Sequence, residues 1–310
     1  MKKYTNLILF LLLCVNIHAQ ERGGLVVNKY RHTPLLLNIY ANALYGNATS
    51  SQISSAVSAA YSVRRLNLYY SGPLIKISNA GNTTTYDIGY NANNDLDVTY
   101  LSSVIGATSW YVVKWYDQSG NGRDIIPTSN TTVYMPRFVN AGVLDKKGAN
   151  NRPAVTFQST TNEFKYATNT SVQIVNAVRD LVGNSYQYLV SMPIDQDFAV
   201  RAGGGFTSTG GGGYSDGPNV NDWWSGGSMY VNGAAISGSS TGAVSPLHTL
   251  TSYASSVKTG TFSVSSSFMS RGMYNGDGVC ELILFPNSTD MTVANRTIIQ
   301  GNQKSYFGTP

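Results

Sequence analysis

The stretch Trp115-Tyr116-Asp117-Gln118-Ser119-Gly120-Asn121-Gly122, fed by the run Trp110-Tyr111-Val112-Val113-Lys114, constrains the fold more than any other part of the chain. The run is aromatic and β-branched, which is strand chemistry. The composition then switches to Asp, Gln, Ser, Gly and Asn, residues that turn a chain. Glycine accepts positive φ, and Asp or Asn side chains hydrogen-bond their own backbone. Ile125-Ile126 follows and is apolar again. The pattern predicts a strand, a tight polar loop and a re-entry into the sheet, with Trp115 and Tyr116 facing opposite sides at the corner.

Similar signals recur along the chain. Strands are expected at Pro34–Tyr40, Leu74–Ser78, Tyr86–Tyr90, Pro136–Val139, Arg152–Phe157, Tyr186–Met192 and Phe198–Arg201. Further strands are expected at Met229–Val231, closed by an Asn232-Gly233 hairpin signal, and at His248–Ser255, Thr261–Phe268 and Gly278–Phe285. Ala56–Leu68 reads as a short helical turn leading into a strand, and Leu96–Val104 and Val172–Leu181 as short helices. A last helix follows Phe285, capped by Thr289 or Asp290, with Val293, Ile298 and Ile299 as its apolar stripe. Many short strands with one clear helix at the end predict an all-β sandwich. Without an internal repeat or a Pro-rich linker, residues 20–310 read as one domain.

Composition agrees. Charged residues make up 12% of the 310, against 31 glycines and 21 tyrosines, the profile of short strands joined by Gly, Ser and Asn turns. The net charge of +5 comes from scattered pairs such as Lys2-Lys3, Arg64-Arg65 and Lys146-Lys147. No basic run is present, which argues against a nucleic-acid partner. His32 and His248 are isolated and no nucleophile-elbow motif accompanies them, so a hydrolase triad has no support.

The first 19 residues read as a secretion signal. Lys2-Lys3 supply a positive start, Leu7–Val15 an apolar core, and Ala19 precedes the expected cut. The core is too short to cross a bilayer comfortably, so the expectation is a secreted or cell-surface protein without a membrane span. Leu13 stands where a lipoprotein signal ahead of Cys14 would need a small residue. Signal removal would leave Cys280 as the only cysteine, so no intramolecular disulfide is possible. Its apolar surroundings, Val279–Phe285, read as burial rather than reactivity.

The segments Ala60–Leu66, Tyr70–Leu74 and above all Trp115–Gly122 resemble the catalytic domain of α-L-arabinofuranosidase B, glycoside hydrolase family 54. Cys280–Phe285 looks like the closing strand of concanavalin A-like lectin and glucanase domains. The clear part covers residues 56–157. The resemblance implies a concanavalin A-like jelly-roll β-sandwich with one C-terminal helix, and a glycan or polysaccharide partner containing arabinose. It also implies retaining hydrolysis by a carboxylate nucleophile and a carboxylic acid/base about 5–5.5 Å apart.

The family's nucleophile lies in a pattern Gly-Pro, a few residues, then Asp-x-Glu-Asn-Gly. The counterpart here is Gly217–Gly226: Asp222 matches the first carboxylate, Trp224 stands at the nucleophile and Ser225 at the Asn. An indole cannot form a glycosyl ester. The family's adjacent cysteine pair at the sugar site is also missing. Its acid/base sits in a Gly-Gly-Asp segment ahead of the last strand, where this chain has Gly276-Asp277-Gly278.

The catalytic candidates are therefore Asp222, Asp277 and Glu281, with the last two carboxylates expected near one edge. The sugar-binding candidates are Asp222, Trp223 and Trp224, which follow the glycine-saturated Gly203–Gly217. There they would form either a stacking platform or a pair of indoles packing a loop onto the sandwich. No metal or cofactor is expected. The one oxygen-rich set, Asp117, Gln118 and Asn121, would hold Ca²⁺ or, more simply, close its own loop. Three readings stay open: a glycan-recognising domain that has lost hydrolysis, an active retaining arabinofuranosidase, and a ligand-free structural or adhesive module.

Overall fold

The computed structural model describes residues 36–159, 161–180, 187–191, 201–202, 206–207, 228–236, 239–240, 247–265 and 276–310. The described residues open with two helices, α1 (Leu36–Tyr45) and α2 (Ser50–Ala56), then β1 (Ala59–Ser62), β2 (Ile75–Asn79) and β3 (Thr85–Ile88). Next come α3 (Val98–Ile105), β4 (Trp110–Trp115), β5 (Ile126–Pro127), β6 (Arg137–Asn140), β7 (Val155–Phe157) and the long β8 (Phe164–Arg179). The main elements close with β9 (Ser228–Val231), β10 (Ala234–Ile236), β11 (His248–Val264), β12 (Asp277–Phe285) and α4 (Val293–Phe307).

These strands belong to one antiparallel 14-stranded sheet whose main path runs β10-β9-β11-β8-β12-β7-β6-β4-β2-β3. β12 is its hub. One edge pairs with β8, while the other is shared, β7 taking Asp277–Val279 and β1 taking Glu281–Leu284. The sheet also folds back on itself. β5 pairs with β8, and Ile125 bridges to Trp115 at the end of β4. The two layers of the sandwich thus meet through the corner that follows Trp115, and its indole is fully buried against the rings of Tyr61 and Phe164. Tyr116, next in sequence, points outward and donates its hydroxyl to Asp87 at 2.6 Å. The expected opposite facing of these two residues is what the structure has.

Local chemistry explains the elements. The Asn232-Gly233 pair turns β9 into β10 with both residues at positive φ, 49° and 86°, as a two-residue hairpin requires. α3 starts on an Asp97 side chain that accepts from the Tyr100 N–H, near the expected Leu96–Val104.

Four expectations are corrected. Pro34–Tyr40 is helical from Leu36, because Leu36, Leu37, Tyr40 and Ala41 recur at helical spacing and bury one face. Val172–Leu181 is not a helix: its residues up to Arg179 belong to β8 and are buried on both faces, which erases the period-two alternation of a half-exposed strand. The separate strands expected at His248–Ser255 and Thr261–Phe268 are one strand, β11, through Val264. The cap of α4 is Thr292, whose side chain accepts from the Asn295 N–H, rather than Thr289 or Asp290.

The buried face of α4 is largely polar. Asn295, Arg296, Gln300 and Gln303 are buried beside Ile299, while Val293 is 68% exposed. Gln300 donates to Thr251 on β11 at 3.0 Å, and Gln303 bridges Asn176 on β8 and Glu281 on β12. The helix is fastened across three strands by side-chain amides. Among the described residues, no helix is long and apolar enough to cross a membrane.

Candidate functional site

The corner that carries the sequence resemblance is a hydrogen-bonded lock. Asp117 takes four donors: the Ala60 and Ser119 N–H groups at Oδ1, both at 2.9 Å, and Ser119 Oγ and the Arg123 N–H at Oδ2, at 2.8 and 3.0 Å. Gln118 accepts from the Leu66 N–H at 2.7 Å and donates to the Arg64 carbonyl at 3.0 Å. Asn121 donates to the Val57 and Ser54 carbonyls at 2.7 and 3.0 Å. All three side chains tie the loop to the segment between α2 and Leu66. Burial raises the Asp117 pKa, and the four donors partly offset that rise. The Asp117 and Gln118 oxygens weighed as cation ligands accept from N–H and hydroxyl donors of the loop and the segment it is tied to. Among the described residues, no cluster of His, Cys, Asp and Glu has the arrangement of a metal site.

Asp222, Trp223 and Trp224 lie outside the described residues, as do the signal segment, residues 208–217 and most of the strand expected at Phe198–Arg201. Asp277 and Glu281 are described and fully buried, but the structure does not bring them together. Four strand steps set them about 13 Å apart along the chain. They also point to different faces. In the β8–β12 register Val178 is level with Glu281 and Arg179 with Val279, so the ladder skips Cys280. This bulge reverses the alternation of β12. Glu281 faces α4, whereas Asp277 lies on the side of Val279 and its cross-strand partner Phe157, in the core of the sandwich.

Each carboxylate has its own surroundings. Glu281 Oε2 accepts from Arg64 Nε and Ser62 Oγ, both at 2.9 Å, and Oε1 accepts from Arg64 Nη2 at 3.3 Å and Gln303 Nε2 at 3.0 Å. Both of its oxygens are engaged. Asp277 is an electrostatic neighbour of Arg179, the last residue of β8. That guanidinium is fully buried, and burial pushes its pKa down to about 10 against the upward pull of Asp277 and Asp180. The Asp180 carboxylate takes Lys147 Nζ at 2.7 Å and the Gly278 N–H. The strand end therefore carries two cations and two carboxylates in a small volume. Sequence reasoning misses Arg64, Arg179 and Lys147, since each partnership spans far too many residues to leave a local pattern. Cys280 is buried, with Asp180 and Glu281 as electrostatic neighbours, and burial pushes its thiol far above its ordinary pKa.

No protein-family model and no curated protein matches the sequence. Solved structures do match in fold. One is an arabinofuranosidase complexed with arabinofuranosyl-alpha-1,2-xylobiose, at TM-score 0.52 and 14% identity, covering 79% of this chain and 63% of that one. Another is a GH54 a-l-arabinofuranosidase soaked with a cyclic sulfate inhibitor, at TM-score 0.53 and 15% identity, covering 82% and 64%. The chain thus spans less than two thirds of the length of the proteins it resembles. At this identity the likeness establishes the β-sandwich fold that these glycoside hydrolases share.

Proposed function

We propose that this chain is an exported glycan-recognising domain, directed at arabinose-containing or related glycans, that does not hydrolyse them. The fold is that of solved arabinofuranosidases, one of them holding an arabinofuranosyl xylobiose, which supplies the ligand class. The observation that carries the loss of hydrolysis is the separation of Asp277 from Glu281, together with the engagement of Glu281 by Arg64, Ser62 and Gln303. Retaining hydrolysis needs two carboxyl groups about 5–5.5 Å apart, and Trp224 stands where the sequence pattern wants the nucleophile. Recognition in this reading falls to Trp223 and Trp224, which stack on the CH-rich face of a sugar, and to Asp222, which accepts from its hydroxyls. The segment 1–19, with its basic start and apolar core, directs export.

An active retaining hydrolase using Asp222 and Asp277 is the second reading. It is favoured by the place of Asp277 at the start of the closing strand, beside a buried guanidinium.

Titration calorimetry of the purified mature chain with an arabinoxylan oligosaccharide, beside an assay on an aryl α-L-arabinofuranoside, separates these readings. The expected result is binding that Trp223→Ala with Trp224→Ala abolishes, and no turnover. Turnover that disappears in Asp222→Asn and in Asp277→Asn would install the hydrolase reading instead. A chain that neither binds nor turns over would be a structural module.

A further inference from the structure

We infer that Tyr45, Leu68 and Tyr69 form a platform on which a neutral polysaccharide chain lies, in addition to the contacts proposed for Trp223 and Trp224. The inference takes its ligand class from the glycan-recognition reading and rests on it to that extent. All three side chains are open to solvent, at 43%, 57% and 51% exposure. Apolar side chains exposed singly are ordinary, whereas contiguous ones mark contact surfaces. Hydrogen bonds bring these three together. The Leu68 N–H donates to Asn38 Oδ1 at 2.7 Å, and the Tyr69 hydroxyl donates to the Ala48 carbonyl at 3.1 Å. Asn38 and Tyr45 are seven residues apart on α1 and so share one flank, with Ala48 three residues beyond. The turn 67–70 therefore runs along that flank, over about 10 Å.

The platform is held in place without a ligand. Asn67 donates from Nδ2 to the Gln118 carbonyl at 3.0 Å and accepts the Tyr69 N–H, also at 3.0 Å. Arg65 donates to the carbonyls of Asn67, Leu68 and Tyr70. A turn fastened at so many points loses little freedom on binding. Tyr69 is tied down at its backbone and at its hydroxyl, so its ring is a fixed surface for the CH-rich face of a sugar.

Charge selects the ligand. Residues 36–63 contain no charged side chain. Arg64 is buried against Glu281, and Arg65 is engaged by the three carbonyls and lies 4.5 Å over the ring of Tyr90. The exposed polar groups around Ala48 are the amides of Asn42 and Asn47 and the hydroxyl of Thr49. Nucleic acid and anionic lipid are held by exposed cations, which this flank does not present. A neutral glycan matches it, with hydroxyls for the amides and CH faces for the rings.

The test is Tyr45→Ala with Tyr69→Ala in the full mature chain, measured for thermal unfolding and for affinity towards two probes. These are a short arabinoxylan oligosaccharide and a soluble arabinoxylan polymer. A polymer that reaches a second contact on one molecule gains through effective concentration, and a short oligosaccharide does not. The expected result is unfolding at the wild-type temperature, unchanged oligosaccharide affinity and a polymer affinity lower by at least about tenfold. Tyr69→Phe keeps the ring and should keep most of the polymer affinity. Leu68→Ser, which alters only an exposed side chain, should weaken polymer binding as well, and it decides the matter if the alanine pair unfolds early. Unchanged polymer affinity in a folded variant overturns the inference, while oligosaccharide binding leaves glycan recognition standing. A wild-type chain that binds neither probe overturns both. A concentration-dependent dimer that the alanine pair dissolves, with polymer binding untouched, assigns the surface to a second copy of the chain and overturns the glycan platform.

Discussion

Arg64 and Glu281, 217 residues apart in sequence, form a buried ion pair, with Nε on Oε2 at 2.9 Å and Nη2 on Oε1 at 3.3 Å. The guanidinium is stacked 4.3 Å from the ring centre of Tyr306 and 5.2 Å from that of Phe307 on α4. Removing one partner of such a pair leaves the other charge buried and uncompensated. Glu281→Gln should therefore destabilise the chain by about 3–5 kcal/mol, read as a fall in the urea midpoint. Arg64→Met combined with Glu281→Leu should recover much of that loss. If Glu281→Gln unfolds like the wild type, the pair is not what fastens α4.

Asp117 gives a prediction with a pH signature. Its pKa is raised by burial, so in the folded state it holds its proton above the ordinary carboxylate value of about 3.9. The folded chain then binds more protons than the unfolded one in the window above that value, and the Asp117 contribution to stability falls as pH rises through it. Asp117→Ala abolishes this local slope and strands four donors, at roughly 1–3 kcal/mol for each one left unsatisfied. Chemical denaturation at pH 4 and pH 7 should show the variant less stable at both, with the gap narrower at pH 7. A gap that widens would contradict the direction of the shift.

Gly148 sits at φ 73° where an added Cβ would lie 2.7 Å from the Phe307 carbonyl oxygen and 2.8 Å from Leu247. Both a left-handed backbone and a backbone obstacle stand against any larger residue. Gly148→Ala should lower stability by more than about 1 kcal/mol and loosen the end of α4, visible as faster amide exchange at residues 304–308. Exchange equal to the wild type would mean that the turn absorbs the methyl group.

Cys280 is buried and its thiol is held protonated. A thiol reagent should leave the native chain without residues 1–19 unmodified and titrate one equivalent in denaturant, because the thiolate is the reacting species. Rapid labelling of the native protein would show that β12 opens at its bulge.

The sandwich was legible because its strongest signals are local. Trp110–Gly122 changes from strand to turn chemistry within a few residues, and Asn232-Gly233 names its own hairpin. The misread segments share a cause, burial arranged by distant chain. β8 is covered on both faces, so Val172–Arg179 has no alternation to display. α4 buries amides and an arginine that meet Asn176, Thr251, Tyr230 and Glu281, and a search for an apolar stripe picks out exposed Val293 instead. Of the candidate site, the positions of Asp277 and Glu281 were legible but not their separation. That depends on one extra residue in β12, which no spacing rule exposes. Arg179 reads in sequence as the polar end of an apolar run, and only its burial marks it.

The central strand is also made after every strand it joins. β12 joins β8, β7 and β1, and the Ser62–Glu281 contact spans 219 residues. Pairing over such separations is slow, and until Asp277–Phe285 has been synthesised the neighbouring strands wait with open edges. A chain cut short before Asp277 is thus not a smaller sandwich with a missing margin. It is a sheet without its middle, and its fate is aggregation or proteolysis rather than a stable fragment.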